Sequence, residues 1–237
     1  MHIKQAFLVC CSLLLVFNAA VLKAGDSASF VDLGFSADGS IYMFAQHGVR
    51  SGTLYPWADL FVVDVARNDF VPQGKIPYIH DRPIDAGQDG SSALYRLLIK
   101  NAGLVERYGL SYPNQGLPLY IALNGDPAYD GAIITFKDFV SGVSYRASLV
   151  EKTSGSGKNA RSSFYITLES TGGDGEETYT LSDRIGTPQL ERASILSYRI
   201  KKVLAAPSGN ALVFVIEMKC HGENGPDIRY MVEAVRF

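Results

Sequence analysis

One strand grammar, written near the start of the chain and again at its end, narrows the possible folds more than any composition value does. Residues 30–70 read FVDLGFSADGSIYMFAQHGVRSGTLYPWADLFVVDVARNDF. Val31, Leu33 and Phe35 alternate with Asp32 and Gly34, which reads as a strand with one buried face. Ser36-Ala37-Asp38-Gly39 is a turn, because Asp tolerates tight backbone geometry and Gly supplies a positive φ. Ile41 to Ala45 returns as a second strand, a polar loop follows, and the β-branched run Asp59 to Val65 is a third. Residues 201–237, KKVLAAPSGNALVFVIEMKCHGENGPDIRYMVEAVRF, keep the same order. Gly39 matches Gly209 and Phe44 matches Phe214 at an offset of 170, while Asp59 matches Asp227 and Leu60 matches Ile228 at 168. Each copy has His-Gly in its loop, His47-Gly48 and His221-Gly222. Two such units read as a duplication whose copies pack together.

Between the repeats the chain changes character twice. Pro72, Pro77 and Pro83 punctuate the exit from the first unit. Leu94, Leu97, Leu98, Ala102, Val105 and Tyr108 then keep to one face of a 3.6-residue repeat, predicting an amphipathic helix near 91–108. Ser91 or Ser92 is placed to cap it and Gly109 to stop it, while Gly103 weakens its middle by about 1 kcal/mol relative to Ala. Residues 119–183 return to strand alternation in Ile133 to Phe136, Tyr145-Ala147-Leu149, Phe164-Ile166-Leu168 and Tyr179-Leu181. Gly/Ser-rich hairpin loops separate them, so an antiparallel β meander is expected here.

The first 24 residues read as a signal peptide: His2 and Lys4, an apolar run Ala6 to Ala20, and small residues ending at Ala24. The run is shorter than the roughly 20 residues of a membrane span. Leu22 is larger than an ideal cleavage site prefers, and an uncleaved anchor is the alternative. Cys10 and Cys11 lie inside the apolar run, where a lipid-modified cysteine would not. Residues 25–237 are then one β-rich domain of a secreted or periplasmic protein, with no transmembrane span once the signal is gone. Its removal takes Lys4 and Lys23, leaving 20 basic residues (22 less two) against 24 acidic ones, a net charge of −4. That balance excludes nucleic acid as a partner, which requires a basic face. Cys220 becomes the lone thiol, so the fold rests on packing without a disulfide.

No catalytic constellation emerges. His47, Cys220 and His221 are the weak candidates for a metal site, since neighbouring repeats would bring their loops to one rim. His80-Asp81, with Asp85 and the serines of Ser154-Gly155-Ser156-Gly157, invites a hydrolase reading. The G-x-S-x-G elbow on a strand-to-helix turn is missing. The acidic loops 124–131 and 174–177 lack the ligand register of a calcium-binding EF-hand. The remaining candidate is a recognition loop from Gln46 to Trp57. Its binding residues are Gln46, His47, Arg50, Tyr55 and Trp57, types that dominate interface hot spots and stack on sugars. No cofactor is implied.

Phe35-Ser36-Ala37-Asp38-Gly39-Ser40-Ile41-Tyr42-Met43-Phe44, followed by Asp59-Leu60-Phe61-Val62-Val63-Asp64-Val65, resembles the TolB-type β-propeller repeat. In that family an FSPDG turn joins two strands of a blade and an LYVVD strand follows. Ala37 stands where that motif has Pro, and the second copy keeps Pro207 but has Ser208 where Asp is usual. The mature chain is similar to a spirochaete-type family of predicted secreted bacterial proteins of unassigned function. This resemblance implies export and a β-rich fold, and brings no catalytic residues. A propeller needs at least about four blades, and two units are visible. The middle therefore forms degenerate blades or a separate sheet.

The expected fold is mainly β: propeller-like or meander antiparallel sheets with one amphipathic helix, and the N- and C-terminal repeats packed together. The expected function is an exported, non-catalytic binding or envelope-associated module whose partner is an envelope protein or a glycan. The alternative is an exported hydrolase or metal-dependent enzyme with a divergent site.

Overall fold

The computed structural model describes residues 25–85, 87–112, 114–123, 132–172 and 178–237. The leader and the two acidic loops, 124–131 and 174–177, lie outside the described residues. Sheet A is a meander of β1 (Ser29–Phe35), β2 (Ile41–Val49), β3 (Pro56–Asp64) and β4 (Asp69–Ile79). Its first turn is tied by Asp38, which accepts from the Ser36 hydroxyl (2.7 Å) and from the Ser40 amide and hydroxyl (3.1 and 2.8 Å). These bonds hold the Asp38 carboxyl at about 2.

Two expectations change within this sheet. Val31, Leu33 and Phe35 do not share a face, because the ladder shifts between Asp32 and Gly34 and Gly34 adopts a φ of +100. The bulge turns Leu33 outward beneath a helix and Phe35 inward toward the next sheet. The proline-punctuated exit is itself the strand β4. It lies at the sheet edge, where Pro72 and Pro77 need not donate to a further ladder.

Sheet B joins β11 (Ile195–Ala205), β12 (Ala211–Cys220) and β13 (Asp227–Arg236), with β5 (Leu117–Ile121) added beside β11. Its three-stranded part repeats the backbone hydrogen bonds of sheet A's turn. Gly39 N–H reaches Ser36 O and Gly209 N–H reaches Ala206 O; Val65 N–H reaches Ser40 O and Phe237 N–H reaches Asn210 O. Ile41 faces Asp64 and Ala211 faces Arg236, so the offset is 170 on the second strand and 172 on the third. The anticipated 168, set by aligning Asp59 with Asp227, is therefore replaced: the C-terminal loop is longer by two residues, and Phe61 corresponds to Glu233.

Sheet C holds the middle of the chain: β6 (Ile133–Lys137), β7 (Ser144–Ser154), β8 (Arg161–Thr171), and along β8's other side β9 (Thr178–Ile185) and the short β10 (Arg192–Ala193). The three sheets stack face to face in the order A, B, C. One core lies between A and B, built on Phe35, Tyr42, Phe44, Phe61, Val213 and Val215. Another lies between B and C, built on Phe136, Phe164, Ile166, Ile200, Phe214 and Ile216. Alternate residues of β12 feed the two cores, so sheet B is buried on both faces. The terminal repeats are thus packed together, and the equivalent Phe44 and Phe214 each point into the following sheet. The stack does not close into a ring.

The expected helix is present but broken. α1 (Ser91–Lys100) lays Ala93, Leu94 and Leu97 on the outer face of sheet A, and α2 (Ala102–Arg107) buries no side chain. The break is at Asn101, whose side chain donates back to Leu97 O (2.8 Å). Neither serine caps α1; Asp89 instead accepts from the Ser91 amide and hydroxyl.

Candidate functional site

An edge strand must find partners for its outward amides. β13 is such a strand, and sheet A supplies them with side chains. Gln46 Oε1 accepts from Tyr230 N–H (2.8 Å) and Asn68 Oδ1 from Ala234 N–H (2.6 Å). The chain start completes the edge: Asp26 O accepts from Ile228 N–H (2.8 Å), and Ala28 N–H donates to Ile228 O (3.1 Å). Arg229 locks this seam. Its guanidinium lies 4.4 Å from the centre of the Trp57 ring and pairs with Asp26 (3.3 Å) and Asp227 (3.4 Å).

The segment expected to be a recognition loop is therefore mostly strand. β2 runs to Val49 and β3 begins at Pro56, leaving only residues 50–55 as loop. Gln46 and Trp57 are buried in the seam, and Tyr55 is half-buried. Arg50, Gly52, Thr53 and Leu54 are exposed. Leu54 is 52% exposed and sits at φ 59, a left-handed conformation uncommon for a branched residue. Loops 50–55 and 221–226 do share a rim: Asn224 donates to the Ser51 hydroxyl at 3.5 Å, and the Ser51 amide donates to Asp26 (2.6 Å). Between them is a polar notch of about 240 Å³ lined by Asp26, Arg50, Thr53, Glu223 and Asp227.

The three weak metal candidates do not converge. His47 follows Met43 and Ala45 on the helix side of sheet A, where burial lowers its pKa and Asp89 partly offsets that. Cys220 packs against the core between sheets B and C, where burial raises its thiol pKa. His221 is exposed beside Gly157. Among the described residues no group of three or more His, Cys, Asp or Glu side chains is placed to hold a metal ion. The hydrolase set is dispersed as well. His80 touches Asp81 (3.2 Å) at the end of β4 in sheet A, while Ser154 and Ser156 lie at the β7–β8 tip in sheet C. Sheet B stands between them. Asp85 is exposed, in the segment leading to α1.

Two concavities lie away from the residues that the sequence singled out. Because α2 stands off the sheet, an apolar groove of about 420 Å³ opens over Leu33, Met43 and Leu60, walled by Leu98, Val105 and Tyr112. At the opposite end of the strands from the rim, all three sheets contribute to a polar cleft of about 380 Å³. Its centre is Glu233 of β13, only 5% exposed. Asn68, at φ 51 in the β3–β4 turn, donates to this carboxylate; Arg192 of β10 approaches it to 3.7 Å. Gly186, at φ +100, faces the carboxylate so closely that a Cβ there would sit 3.2 Å from Cδ. Burial raises the Glu233 pKa, with Asn68 and Arg192 opposing. The clue available in advance was a charged residue at the phenylalanine position of the repeat, and the mistaken register hid it.

Residues 43–236, from β2 to nearly the end of the chain, match the family model for predicted secreted proteins designated DUF2259. The chain belongs to that family. No curated protein matches it. Family membership makes this a secreted protein. Among the described residues no helix is long and apolar enough to cross a membrane.

Proposed function

We propose that this family member is a non-catalytic binding module of the bacterial envelope, released by cleavage of its leader as one β-rich domain. Its two repeats, on this reading, descend from a TolB-type propeller blade. The observation that carries the reading is the rim formed by loops 50–55 and 221–226. Exposed Arg50 and Leu54, with half-buried Tyr55 beside them, are presented on a hairpin whose base is locked by Trp57, Arg229 and Asp26. Arg and Tyr are hot-spot residue types, and a pre-ordered loop spends little free energy on ordering when it binds. Leu54 adds apolar surface held in a strained conformation, a feature that clusters at ligand-contacting sites. An envelope protein is the partner such a surface favours. Gln46 and Trp57 then serve binding by holding the base of the loop in place. The rival reading, a divergent hydrolase or metal-dependent enzyme, has no convergent set of groups to support it among the described residues.

A photo-crosslinking residue placed at position 54 in the native organism tests this against one placed at Tyr179, an exposed position on sheet C. A discrete adduct from position 54 that Arg50→Ala weakens is expected. No adduct, or the same adducts from both positions, refutes the reading.

A further inference from the structure

The cleft where the three sheets meet is built for a ligand unlike anything the rim would take. Four charged side chains line it, Arg67 and Arg192 against Asp69 and Glu233, so their formal charges cancel. A free anion entering would meet two carboxylates, and a cation two guanidiniums. A neutral molecule rich in hydroxyls satisfies both sets, because each hydroxyl donates one hydrogen bond and accepts others. The walls are set in advance: Asn68 and Arg192 both engage Glu233, and Arg192 is further steadied over the Phe164 ring at 5.2 Å. One side of the cleft is apolar. Phe70 is 42% exposed and its ring is stacked on buried Phe61, with centroids 5.6 Å apart, which makes it a supported aromatic platform.

We infer that this cleft is a saccharide site, taking one or two pyranose rings of a neutral glycan. The C–H face of the ring rests on Phe70 while its hydroxyls reach the Arg and carboxylate groups. The volume of about 380 Å³ lies at the lower end of the range for small-ligand pockets. The site is at the other end of the strands from the rim.

The test is NMR titration of the exported protein, isotope-labelled, with N-acetylglucosamine and its β-linked dimer. Inorganic phosphate and free lysine are run beside them. Saturable shifts at the amides of Asn68, Phe70 and Thr187 are expected with the sugars alone, the dimer binding more tightly. Phe70→Ala lowers the affinity about tenfold, the worth of one aromatic contact. Arg67→Ala lowers it several-fold. Circular dichroism checks that both variants stay folded; if Phe70→Ala does not, the exposed Arg67 position decides alone. The inference is overturned by no saturable shift with either sugar, by shifts confined to loops 50–55 and 221–226, by saturation with phosphate instead, or by undiminished affinity in the folded variants.

Discussion

β3 and β13 are the third strands of two units with one design, yet they meet different fates. β3 is flanked on both sides, by β2 and by the proline-bearing β4, and carries Phe61 opposite Phe44, with ring centroids 4.6 Å apart. Among the described residues no strand lies beyond β13. Where β3 has Phe61, β13 has Glu233, opposite Phe214. Its outer amides are served by Gln46, Asn68 and the chain start instead of by a ladder. Glu233 thus accompanies the open edge: it accepts from the Asn68 side chain, whose Oδ1 in turn accepts from the Ala234 amide. An interior strand has its backbone satisfied on both sides and can spend its side chains on packing. An edge strand against another sheet needs polar groups from its neighbours to satisfy what the missing strand leaves open.

The largest effect expected concerns what the units share. Phe44 and Phe214 are both fully buried, and truncating either to Ala costs about 3–5 kcal/mol by denaturant unfolding. A cost below about 1 kcal/mol at Phe214 alone would mean that sheet B is not packed on both faces, since even a modest core truncation exceeds that. The next effect separates the units. Asn68→Ala leaves the Ala234 amide and the Glu233 carboxylate short of a partner and costs about 1–3 kcal/mol. Replacing the exposed residue Lys137 in sheet C serves as the reference, and equal losses at both positions would show that β13 needs no capping from sheet A.

The smallest effect is a slope. Burial raises the pKa of the Glu233 carboxyl above its ordinary value of 4.5, with Asn68 and Arg192 opposing. Between the two values the folded chain therefore holds a proton that the unfolded chain has released. Its contribution to stability is complete below pH 4.5 and is lost as pH rises through the folded value. Asp32 and Asp59, also raised by burial, act in the same direction. The informative quantity is the difference in melting temperature against pH between wild type and Glu233→Gln. A flatter profile is expected in the variant, and identical profiles would remove Glu233 from the account.

Local pattern carried much of this architecture. The Ser36–Gly39 turn, the alternations of β7 and β8, the apolar stripe of α1 and the pairing of the two ends all follow from residue spacing, because strand and helix periods are short-range properties. The same spacing misread β1, where one bulge at Gly34 reverses the faces, and the third-strand register, where matching aspartates stood two loop residues out of step. It also placed Gln46 and Trp57 in a loop when they belong to a seam.

By itself, then, the amino-acid sequence determined that the protein is exported, mainly β, and built around a repeated hairpin. Tertiary structure alone decided that sheet B is assembled from both sides of sheet C's sequence and buried on two faces. It alone left β13 as an edge and gathered Asn68, Arg192 and Glu233 from three sheets into one cleft. The physical reason is that periodicity records which way a side chain points, whereas its solvation and partners depend on segments more than a hundred residues away, brought near only when the sheets stack.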